Sequence, residues 1–90
     1  MPTILSGKER GRLKSLAKTR PVDIKVGKKG ITSTLLAEIR RLLDNEPLIK
    51  VRLAPEKNTR LEQVKQLEDE LHMTLIAMVG KTASFSSTGQ

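Results

Sequence analysis

Lys28 and Lys29, framed by Gly27 and Gly30, are the residues whose types and spacing are best suited to holding another molecule. Two glycines with two residues between them let the backbone turn sharply and approach a ligand closely. The lysines put positive charge at that point of approach. Before the turn, Val22-Asp23-Ile24-Lys25-Val26 alternates apolar and polar residues, as a strand with one buried face does. After it, Thr32 or Ser33 caps a helix whose free N–H groups and positive dipole end point back at the turn. All three features favour a phosphate group. The chemistry they offer is capture of a polyanion, not the making of bonds.

Catalytic readings fail on the residues themselves. Gly80-Lys81-Thr82 looks like the end of a P-loop, but that motif needs a glycine five residues before its last one, and Leu75 stands there. The Gly27–Gly30 pair lacks the third glycine of a dinucleotide fingerprint. His72 is the only histidine and there is no cysteine, so an ordinary zinc site cannot be assembled, and no His-paired nucleophile is apparent. His72 reads as a helix–strand junction residue. Glu62, Glu68, Asp69 and Glu70 read as a solvated helix face. The chain is expected to be no enzyme and to require no cofactor, metal or small-molecule substrate.

The distribution of charge sharpens this picture. The net charge is +7. Residues 1–31 hold nine basic and two acidic residues, whereas the remainder holds eight of each. The entire surplus therefore lies in the segment that contains the glycine turn, which points to an acidic polymer as partner. Nucleic acid is the first expectation; an acidic protein docking on the same segment is the alternative. There is no Trp or Tyr, and Phe85 is the only Phe. Base stacking on a sheet of aromatics is therefore closed to this chain. An RNA would be gripped by phosphates and sugars, with strong salt dependence and modest sequence specificity.

Ninety residues correspond to one domain, 1–90, burying roughly 60–65% of its unfolded surface. No apolar run reaches the roughly 20 residues of a membrane span, and the N-terminus lacks a signal-peptide apolar region. A cytoplasmic, monomeric protein with no membrane contact is expected.

Seven elements must position the turn. Ser6-Gly7-Lys8-Glu9 is a capping box that opens a helix over about 8–18, with Leu13, Leu16 and Ala17 inward and Pro21 as its stop. The strand at 22–26 has Val22, Ile24 and Val26 inward. Leu35, Leu36, Ile39, Leu42 and Leu43 give the second helix a continuous stripe to about Asn45. Ile49, Val51 and Leu53 alternate with Lys50 and Arg52, which a solvent-facing sheet surface explains. Thr59-Arg60-Leu61-Glu62 is a second capping box, opening a helix with Leu61, Val64, Leu67 and Leu71 on one face. Met73 to Val79 suits a central strand covered on more than one side. Gly80-Lys81 turns into a last strand from Thr82 to Ser86, and Ser87 to Gln90 form a polar, frayed tail. The order α-β-α-β-α-β-β predicts an α/β fold with a mixed four-stranded sheet packed with helices.

Taken together and in order, several of these segments resemble the CRM domain (chloroplast RNA splicing and ribosome maturation), most closely its free-standing bacterial, YhbY-like form. They are Leu5-Ser6, Leu16-Ala17, Val26-Gly27-Lys28-Lys29-Gly30-Ile31-Thr32, Leu36-Ala37-Glu38-Ile39, Leu48-Ile49-Lys50-Val51 and Val79-Gly80-Lys81-Thr82. The resemblance implies a two-layer fold similar to the C-terminal domain of bacterial translation initiation factor 3. It implies RNA binding through Gly27, Lys28, Lys29 and Gly30, with a basic surface of Lys14, Lys18, Arg20 and Lys25. It further implies association with precursor rRNA of the large ribosomal subunit. The polar end, Phe85 to Gln90, departs from the aromatic and basic extension of similar proteins, and no RNA contact is assigned there.

Overall fold

Period-3.6 and period-2 segments alternate along the chain, and the computed structural model, which describes residues 7–87, folds them accordingly. The helices are α1 (Gly7–Thr19), α2 (Ser33–Asn45) and α3 (Lys57–Leu71). The strands are β1 (Ile24–Lys25), β2 (Ile49–Arg52), β3 (Met73–Val79) and β4 (Thr82–Ser87). Leu5, Ser6 with its expected capping role, and the tail residues 88–90 lie outside the described residues.

The four strands form one mixed sheet in the order β1-β2-β4-β3. β1 pairs parallel with β2, and β4 runs antiparallel to both its neighbours. The crossover through α3 carries the chain from β2 to the far edge, leaving one strand position open between β2 and β3. The two-residue turn Gly80-Lys81 then folds β4 back into it; Gly80 takes φ +60, where glycine escapes the Cβ penalty.

Helices α2 and α3 cover one face of the sheet. Ile39 from α2, Val64 and Leu67 from α3, and Ile49, Val51, Leu53, Met73, Ala83 and Phe85 from the strands form the main core. Ile39, Ile49, Val51, Leu67 and Phe85 are fully buried, each contributing roughly 1.5–3 kcal/mol of transfer free energy. The expected two-layer fold is corrected here, because α1 adds a third layer on the other side of the sheet. α1 lies against the opposite face, where Leu13, Ala17, Leu48 and Ile76 form a second, smaller cluster. A β-bulge in β3 makes that possible. Its register steps from Leu75↔Phe85 to Ala77↔Ser84, leaving Ile76 unpaired. Leu75 packs on the main core, while Ile76 and its neighbour Ala77 both reach the α1 cluster.

The structure corrects several sequence expectations. β3 is an edge strand, not a central one; its apolar run reflects cover by α3 on one face and α1 on the other. α3 starts before Thr59, because Glu56 is its N-cap and accepts the N–H groups of Asn58 and Thr59 at 3.0 and 2.7 Å. Leu61 is 49% exposed, since the inward face runs through Gln63, Val64 and Leu67. Leu16 and Val22 are also exposed. α1 seats only the Leu13–Ala17 side, and β1 pairs only at Ile24 and Lys25.

An ion-pair junction holds the end of α1 to the sheet. Arg20 makes a two-pronged contact with Asp23, Nε to Oδ2 at 3.0 Å and Nη2 to Oδ1 at 3.1 Å, and reaches Glu46 at 3.4 Å. Asp23 Oδ2 also accepts the Lys50 backbone N–H at 2.9 Å, and Lys50 Nζ donates to the Arg20 carbonyl at 2.8 Å. Burial alone would raise the Asp23 carboxyl. The Arg20 and Lys50 hydrogen bonds, with the charges of both residues, outweigh it and hold the group below its ordinary 3.8. A depressed carboxylate pKa stabilises the fold above the unfolded value, and that contribution is lost as pH falls through the folded value. Stability measured by urea denaturation should therefore fall as pH drops below about 4. Asp23→Asn should lower stability at neutral pH by about 1–2 kcal/mol and flatten part of that acid slope. An unchanged acid slope in the variant would show that the junction does not carry it.

Candidate nucleic-acid interface

The glycine turn is closed by a hydrogen bond from the Gly30 N–H to the Gly27 carbonyl at 3.0 Å, with Lys28 and Lys29 at its corners. Both lysines are exposed. Gly30 sits at φ +75, in the left-handed region; Gly27 does not. Gly30→Ala should thus cost about 1 kcal/mol, read as a lower urea midpoint. A Cβ on Gly27 would meet nothing within 4 Å. Gly27→Ala should leave stability unchanged and, by placing a methyl where a ligand approaches, weaken binding.

Thr32 is the N-cap of α2. Its Oγ1 accepts the Leu35 N–H at 3.1 Å and its carbonyl accepts the Leu36 N–H at 2.9 Å. The N–H groups of Ser33 and Thr34 keep no acceptor among the described residues. Two free donors and the positive end of a 13-residue helix thus follow directly on the turn.

The turn forms one wall of a groove of about 600 Å³, lined by Val26 and Gly27 to Gly30 on one side and by Ala54, Pro55, Thr59 and Gln63 on the other. α3 fixes the second wall. Gln63 Oε1 accepts the Ala54 N–H at 2.9 Å, and Arg60 Nη1 donates to the carbonyls of Ala54 and Pro55 at 3.2 and 2.9 Å. The positive end of α3 is already occupied by Glu56. Hydrogen bonds from the Thr59 hydroxyl and the N–H groups of Thr59 and Asn58 hold that carboxyl below its ordinary value.

A second groove, of about 470 Å³, runs between α1 and the sheet. Lys14, Lys18 and Lys50 line it, with Thr82 and Ser84 below and Ile76 to Val79 along the side. Lys25 is exposed on β1, paired in register with Arg52, so both point to the α1 side of the sheet, as Lys50 does.

The structure gathers the sequence-expected residues unequally. Gly27, Lys28, Lys29 and Gly30 share one groove. Lys14 and Lys18 share the other, and Lys25 stands two residues from the turn. Arg20 is different: its guanidinium is committed to Asp23 and Glu46, and its side chain is only 19% exposed. Its place is in the junction that supports the basic face. Two residues of the grooves, Lys50 and Gln63, are not among the site residues expected from sequence. Lys50 carried a signal, since its alternation with Ile49 and Val51 puts it on the face of Lys25. Gln63 carried almost none, as one polar residue beside a helical apolar stripe. Among the described residues no three His, Cys, Asp or Glu side chains converge as metal ligands, and no helix is long and apolar enough to cross a membrane.

Residues 5–85 match the model of the CRS1/YhbY (CRM) domain. The chain belongs to this family. A CRM assignment fits the solved structures as well. A hypothetical protein from Staphylococcus aureus, described as "a putative RNA binding protein", superposes with a TM-score of 0.80 at 25% identity. The match covers 97% of this chain and 92% of that one. The α-β-α-β-α-β-β order and mixed four-stranded sheet described above are thus the CRM architecture, with the glycine turn between β1 and α2.

Proposed function

We propose that this chain is an RNA-binding protein, one unit over residues 1–90, that grips the phosphate backbone with Lys28, Lys29 and the N-terminus of α2. The observation that carries the reading is the succession of three things in one stretch of chain. The exposed turn with Lys28 and Lys29 forms one wall of a groove, the free N–H groups of Ser33 and Thr34 follow it in the chain, and the turn lies within the first third of the sequence, which holds the +7 surplus. Lys25, Lys14 and Lys18 extend the basic surface toward the α1 groove. CRM membership and the RNA-binding description of the Staphylococcus aureus protein support the same partner. The RNA is precursor rRNA of the large ribosomal subunit, bound in the cytoplasm by a monomer during assembly, with no catalytic step.

Sedimentation of cell extract on sucrose gradients at low and high salt, with the bound RNA sequenced, tests this. Co-migration with immature large subunits, released by salt and carrying precursor rRNA, is the expected result. Protein that stays at the top of the gradient in both conditions would overturn the assembly role. Complexes that survive ribonuclease would replace RNA by an acidic protein as the partner.

A further inference from the structure

The groove beside the turn has chemistry that phosphate capture does not use. Its walls include apolar surface from Val26, Ala54 and Pro55. The adjoining α3 N-terminus holds the Glu56 carboxylate, which repels phosphate and confines it to the lysine side. What enters between the walls must be the uncharged part of the ligand. Gln63 waits there, 7% exposed and fixed in orientation. A backbone N–H can only donate, so the Ala54 N–H at 2.9 Å requires Oε1 to face it. The Nε2 end therefore faces away from Ala54, makes no hydrogen bond with the described residues, and reaches solvent instead of being sealed in the interior. An amide pinned at one end in a groove wall, with its two donors open to solvent, can exchange water for an acceptor on a ligand.

We infer that this groove seats one unstacked base of the bound RNA and that Gln63 reads its edge, Nε2 donating to a base carbonyl oxygen. The inference rests on the RNA-binding reading and adds to it a single position of base preference. Uracil offers two carbonyl oxygens with two lone pairs each, whereas adenine accepts only through ring nitrogens with one lone pair each, so uracil is the favoured occupant. Gln63 is then a specificity-determining residue, held by α3 within reach of a backbone that the turn grips.

The test is fluorescence anisotropy with two labelled oligoribonucleotides, rU8 and rA8, on three proteins. Wild type should bind rU8 roughly three- to tenfold more tightly than rA8, the range of one net hydrogen bond. Gln63→Glu keeps the acceptor for the Ala54 N–H but replaces the donors with an oxygen that accepts from an exocyclic amine. Its U-over-A ratio should fall to about one or below. Its added negative charge weakens both oligomers alike and cancels in the ratio. The Lys28→Ala/Lys29→Ala double variant should weaken both and keep the wild-type ratio. A wild-type ratio near one, or the same ratio in Gln63→Glu, would overturn base reading while leaving backbone binding intact. Failure of wild type to bind either oligomer would overturn the RNA reading itself. Should Gln63→Glu not fold, the Gln63 side-chain amide of 15N-labelled wild type is followed during rU8 titration. A shifted resonance supports the contact, and an unmoved one overturns it.

Discussion

Replacing Lys28 and Lys29 together with alanine should lower RNA affinity roughly ten- to thirtyfold at physiological salt and leave the melting temperature unchanged. Both side chains are exposed at the corners of a turn closed by backbone, and neither makes an ion pair among the described residues. Their removal therefore takes nothing from the fold. If each lysine neutralises one phosphate, the slope of log affinity against log salt should fall by roughly 1–2 units. The loss should be uniform across RNA sequences, because phosphate contacts carry no base information. Filter binding from low to moderate salt, with circular dichroism as the folding control, measures all three. Unchanged affinity would remove the turn from the interface and leave the α1 groove as the basic surface to examine.

Phe85→Ala should be the most destabilising single change, at about 3–5 kcal/mol. A chain of this length has a total stability on the order of 5–13 kcal/mol, so the change would remove roughly a quarter of it or more. Phe85 is fully buried on β4, paired with Ile49 on one side and Leu75 on the other. It is thus the centre of the main core, with cross-strand partners on both sides. The same burial removes the only Phe, Trp or Tyr in the chain from any contact with bases. Phe85→Leu should recover most of the stability and bind RNA like wild type. Urea denaturation followed by circular dichroism decides the matter; a loss below about 1 kcal/mol for the alanine variant would contradict the packing described.

Much of this architecture was legible because periodicity and punctuation agreed. The α2 stripe, the glycine turn, the Gly80 hairpin and the element order follow from local residue patterns, and each appears where those patterns put it. Failures came where a local signal competed with a tertiary one. Thr59 reads as a cap, yet the carboxylate of Glu56 reaches the same N–H groups from an earlier position. Leu61 reads as core, but α3 is rotated so that Gln63 takes the inward place and holds Ala54. The apolar run of β3 reads as central, and nothing local reveals that a bulge at Ile76 turns two successive side chains toward α1. Ser84 and Ser86 carry no local mark of burial, yet both are buried, Ser86 Oγ donating to the Pro47 carbonyl at 2.9 Å. For the interface, the sequence marks which residues are basic but not which are already engaged; the contact that commits Arg20 to Glu46 spans 26 residues.

The placement of β4 between β2 and β3 has a consequence for how the chain comes to be folded. As synthesis proceeds from the N-terminus, every helix and the other three strands emerge while the middle of the sheet is still vacant. β2 and β3 cannot close that gap themselves, because each is matched in register to β4 and not to the other. The α2–α3 cover rests on β2 and β3, strands that lack a shared neighbour until residues 82–87 arrive, and the groove wall at Ala54 follows on that same β2. The glycine turn, by contrast, is complete some fifty residues earlier. A nascent chain would therefore display its two lysines to any nearby RNA before it owns a folded groove to hold it, and contact with that RNA could come before, not after, the last strand is drawn in.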